Sequence, residues 1–82
     1  MNIIFSDGTE FPCASMLKTP GGEAVHIMLA TTDYVTAATL LSDNEKTSVM
    51  TYGDTTVNGY TSLRTLREEY GCITARMEKP NE

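Results

Sequence analysis

Residues 2–16 read NIIFSDGTEFPCASM, with an Asp-Gly step between two strand-like runs. Asp7-Gly8 in that setting is the strongest short-range hairpin signal a sequence offers. It predicts that residues 2–6 and 9–16 pair antiparallel. One hairpin cannot stand alone in water, so the rest of the chain must extend the sheet. Pro12 lies in the second arm and has no N–H for a ladder, so that strand should lie at an edge or carry a bulge there.

KTPGGE is a turn cluster, and AVHIMLA after it alternates. Val25, Ile27 and Leu29 take one face, and His26 and Met28 the other. The pattern changes at residue 33. Tyr34, Ala38 and Leu41 recur at helical spacing, with Ala37 and Leu40 widening the stripe. A short helix is expected over 33–42, capped by Thr31 or Thr32, with Asp33 in its first turn, and ended at Ser42-Asp43-Asn44. Its threonines lower its propensity, so packing on the sheet must hold it.

Strand returns at 47–52, turns at Gly53-Asp54, and continues over 55–63 with a bulge at Asn58-Gly59. LREEYG turns the chain, and CITARMEK alternates Cys72, Thr74 and Arg76 against Ile73, Ala75 and Met77. Residues 79–82 form a polar tail. The expected fold is a single small α+β domain over residues 1–82, ordered β-β-β-α-β-β-β. Its sheet is mostly antiparallel, with five to six short strands and one short helix on one face.

Length bears on stability. A chain of 82 residues buries only about 60–65% of its unfolded surface. The core is thin, and self-association or a partner would complete it. Hydrophobic residues at 40% and charged residues at 21% exclude disorder, and no apolar run reaches the ~20 residues of a membrane span. The first residues lack the basic and apolar regions of a secretory signal. They read as an intact start that enters structure directly.

Net charge is −5. Residues 1–58 carry seven acidic side chains against two basic ones, which is the whole net charge, and residues 59–82 carry four of each. A duplex-binding protein needs a basic face, so direct nucleic-acid binding is not expected, nor is a membrane role. The acidic part suits solubility or a basic protein partner.

No catalytic signature occurs. His26 is the only histidine, and a general base needs an acid or nucleophile beside it. Cys13 and Cys72 fit neither zinc nor redox spacing. They are expected reduced and buried, with a single disulfide left open. The glycine pairs match no phosphate loop, and no G-x-S-x-G occurs. We therefore expect no enzyme, cofactor or metal. Met16, Met28, Met50 and Met77 should fill the core.

One cluster points to a protein partner. Tyr52, Tyr60 and Tyr70 interleave with Arg64, Arg67 and Arg76, and Tyr and Arg are enriched in binding hot spots. The competing reading has the tyrosines cap the core while the arginines pair with Glu68 and Glu69.

Asp7-Gly8-Thr9-Glu10 after an opening strand, Gly59-Tyr60-Thr61 after the central turn, and the closing alternation CITARMEK form a familiar set. Over most of its length the chain resembles small uncharacterised proteins of phages and prophages of Gram-positive bacteria. Such genes often lie near the tail module. The resemblance implies a tail- or virion-associated component acting by protein contact, in the virion or the bacterial host cytoplasm. It supplies no catalytic residue. A second expectation, from small size and acidic charge, is an inhibitor of a bacterial defence system of the anti-CRISPR kind, occupying a basic nucleic-acid channel.

Overall fold

A computed structural model describes residues 1–80. Part of the expected polar tail, Asn81 and Glu82, lies outside the described residues. The strands are β1 (Asn2–Phe5), β2 (Glu10–Lys18), β3 (Ala24–Leu29), β4 (Val49–Tyr52), β5 (Thr55–Asn58), β6 (Ser62–Glu69) and β7 (Cys72–Glu78). Two short helices, α1 (Tyr34–Leu41) and α2 (Asn44–Thr47), lie between β3 and β4. Every strand pair is antiparallel, in the order β5-β4-β1-β2-β3-β7-β6. The mostly antiparallel α+β expectation holds. The counts of five to six strands and one helix do not.

The hairpin over Asp7-Gly8 forms as read. Asp7 Oδ1 accepts from Thr9 N at 2.9 Å, and Gly8 takes φ +88, which a side chain would resist. β2 is central rather than at an edge. Its first part, Glu10 to Pro12, pairs with β1, and Cys13 to Lys18 pair with β3. A bulge falls between Cys13 and Ser15, one residue past Pro12. The strand hands over from one neighbour to the other there, and such bulges bend a sheet. The sheet's two halves thereby share one core. Ile3, Phe5, Met50 and Val57 from β1, β4 and β5 meet Val25, Ile27, Leu29, Ile73, Ala75 and Met77 from β3 and β7.

α1 adds Ala37 and Leu41 to that core, while Tyr34 stays half exposed. Asp33, not a threonine, is its N-cap, accepting from Thr36 N at 3.1 Å and Thr36 Oγ1 at 2.7 Å. A carboxylate makes both bonds with one side chain. Thr31 Oγ1 accepts from Asp33 N instead.

The strand expected from residue 47 begins at Val49, because Thr47 closes the short helix α2 that precedes it. Asp43 caps α2 by accepting from Glu45 N and Lys46 N at 3.0 and 3.3 Å. Residues 55–63 are not one bulged strand. β5 ends at Asn58, and Gly59 at φ +84 redirects the chain into Tyr60. LREEYG is no loop either: β6 runs on to Glu69 and the chain reverses at Tyr70-Gly71. Tyr70 has φ 52 and Gly71 φ 76, the pair of left-handed conformations a two-residue hairpin needs.

Both cysteines are free thiols, Cys13 buried and Cys72 partly so. The Cys13 Sγ donates toward Ser15 O and Met28 O, and burial pushes its pKa up. Met16, Met50 and Met77 are core residues, and Met28 is partly buried on the outer face.

Candidate functional site

Alternation along β3 and β7 sends Val25, Ile27, Ile73 and Ala75 inward, so His26, Thr74 and Arg76 face outward. Across the ladders His26 lies opposite Arg76, and Arg76 opposite Thr65 of β6. The next row out is Met28, Thr74 and Arg67. The helices pack against the core, which leaves this outer face of β3–β7–β6 open.

An ion-pair chain runs over it. Arg76 Nε donates to Glu78 Oε2 at 2.8 Å, and Arg64 Nε reaches Glu78 Oε1 at 3.5 Å. The Arg76 hydrogen bond, with the charges of both arginines, holds the Glu78 carboxyl below its usual range. Arg76 Nη1 lies 3.2 Å from His26 Nε2. A guanidinium only donates, so in this contact Nε2 is the acceptor. His26 thus has an arginine beside it, where a general base would have an acid. Arg67 pairs with Glu69 at 3.1 Å, with its side chain 71% exposed.

The six residues singled out in the sequence do not form one surface. Arg64, Arg67 and Arg76 come together on β6 and β7. Tyr70 stands 97% exposed at the β6–β7 turn. Tyr52 is on β4, across the sheet, and its Oη donates to Ala14 O at 3.0 Å. It thereby satisfies the carbonyl at the β2 bulge. Tyr60 is 2% exposed, and its Oη donates to Gly22 O at 2.6 Å, tying down the β2–β3 turn. Lys79 Nζ lies 5.4 Å from its ring centre. His26, on β3 beside Arg76, is the member the cluster lacked. Its alternation with Val25 and Ile27 was the available signal.

Thr74 Oγ1 is buried under this face with no hydrogen-bond partner among the described residues. Leaving a buried hydroxyl unpaired costs about 1–3 kcal/mol. Thr74→Val keeps the shape and should raise stability by about 1 kcal/mol, read from a urea titration followed by circular dichroism.

The opposite half is acidic. Asp7 lies in the β1–β2 turn, Glu10 opens β2, Asp43 and Glu45 stand at α2 with Lys46 among them, and Asp54 lies in the β4–β5 turn at the far end of β4. Lys46 Nζ pairs with Asp7 Oδ2, and Ser6 Oγ donates to Glu45 O, docking the first hairpin on α2. The Lys46 hydrogen bond, then Thr9, hold the Asp7 carboxyl far below the ordinary range. A depressed carboxyl contributes stability above its unfolded pKa near 3.9, and loses it as pH falls further. Melting temperature should therefore fall as pH drops from about 5 to 2, and Asp7→Asn should flatten part of that slope.

Among the described residues no three His, Cys, Asp or Glu side chains gather as metal ligands. Among the described residues there is also no pocket, and no helix long and apolar enough to cross a membrane. Comparison with protein families, with characterised proteins and with solved structures finds no match.

Proposed function

We propose that this is a non-enzymatic phage or prophage protein, a small tail- or virion-associated component that acts by contact with other proteins. The observation that carries the contact reading is the open outer face of β3–β7–β6. It presents Arg64, Arg67 and Arg76 with His26 on a rigid three-strand platform. Arginine held by a neighbouring carboxylate is already oriented, so less side-chain freedom is lost on binding. The phage setting rests on the sequence resemblance alone. Mass spectrometry and negative-stain microscopy of purified particles test it. Presence in particles is the expected result, and absence from every particle would sink the reading.

A second reading draws on the acidic half. Asp7, Glu10, Asp43 and Glu45 lie around the β1–β2 turn and α2, on the pattern of a competitor for a basic channel. An inhibitor of a defence nuclease would use that cluster. Salt-sensitive binding to a basic nuclease supports it, and full nuclease activity at saturating protein counts against it.

A further inference from the structure

We propose that β6 pairs antiparallel with β6 of a second copy of this chain, joining two sheets edge to edge. This rests on the contact reading above and names a partner for it.

β6 closes the sheet with eight residues, and β7 occupies one of its two sides. Leu66 O accepts from Tyr34 Oη at 3.4 Å, so this carbonyl turns away from β7. A bond that long is weak and yields to an incoming amide. The other edge of the sheet, β5, has only four residues and so fewer bonds to offer.

Charge selects the partner. Along β6 the order is Arg64, Arg67, Glu68, Glu69, bases before acids. Arg67 and Glu69 share the outer face and Glu68 lies on the other, so an antiparallel copy with Arg67 opposite Glu69 makes two ion pairs around a two-fold at Glu68, and an in-register parallel copy would set like beside like. Arg64, Arg67 and Glu68 are exposed, and Glu69 is partly so. The internal Arg67–Glu69 pair is exposed and contributes little, so exchanging it for a pair between copies costs little. A two-fold contact of this kind uses the same edge on both copies and stops at a dimer. It also removes the longer free edge of the sheet, which is otherwise an aggregation hazard.

The test uses the wild-type chain and two variants, R64E/R67E and E68R/E69R. The first makes all four positions acidic, and the second makes them basic. Light scattering and native mass spectrometry follow each from about 10 to about 500 µM at low salt. The wild type should reach twice the 9.0 kDa of one chain. Each variant alone should bind itself at least about tenfold more weakly, and an equimolar mixture should form a 1:1 pair. Circular dichroism checks that each variant is folded. Should one not be, amide exchange on the wild type decides. Amides of β6 should slow with concentration and those of β5 should not.

A wild type that stays at 9.0 kDa throughout overturns the proposal and leaves the particle test of foreign contacts intact. A dimer that both variants form undiminished, or whose β6 amides are indifferent to concentration, overturns the choice of edge.

Discussion

Ile27→Ala is expected to remove about 3 kcal/mol of stability, the cost of deleting a fully buried aliphatic side chain and leaving its space unfilled. Ile27 is 0% exposed and sits mid-strand in β3, paired with Met16 of β2 and Ala75 of β7. Backbone on both sides fixes its position, so the site cannot collapse. At 82 residues the whole fold is worth on the order of 4–12 kcal/mol. One methyl-rich side chain thus supports a quarter or more of it. The urea midpoint should drop sharply with little change in slope. A loss under about 1 kcal/mol would mean that the core is looser than its burial implies.

Tyr60 carries the second large effect, and it separates two roles for the same residue. Tyr60→Ala should cost about 3–5 kcal/mol through lost aromatic packing. Tyr60→Phe should cost about 1–2 kcal/mol, because it leaves the Gly22 carbonyl without its donor. Both losses appear in the isolated chain. Were Tyr60 a partner contact instead, each variant would keep wild-type stability and lose only binding. A paired measurement of urea stability and particle incorporation distinguishes the two.

That tyrosine marks a boundary of what the sequence discloses. Residue spacing reveals local period, and it served well where one face of an element is buried. β3 and β7 alternate cleanly, the Asp7-Gly8 turn fixes its hairpin, and Ala37 and Leu41 lie on the predicted helical stripe. β6 escaped because the run RTLREE has solvent on its outer face and a bulge between Leu63 and Thr65, which breaks the period of two. Its charges read as a loop. α2 escaped because four residues are too few for any period, and only its Asp43 cap announces it. The arginines were legible as a group because β6 and β7 are sequence neighbours. Tyr52 and Tyr60 were grouped with them by proximity in sequence, which does not report that β4 lies across the sheet. Nor does composition say which of four tyrosines points inward.

The hand-over along β2 has a kinetic consequence. Because one strand belongs to both halves of the sheet, neither half has a complete hydrogen-bond ladder without it. The halves therefore cannot melt separately, and unfolding must be a single cooperative event. Two of the six ladders join segments distant in the chain, and they are the ones that flank the β1–β2–β3 unit: β4 returns to β1, and β7 returns to β3. Those long loops must close before the core rewards them, so refolding will be slow for a chain of this size. Once formed, the amides at the centre of the sheet will exchange only through global opening, while β5 at the margin frays on its own.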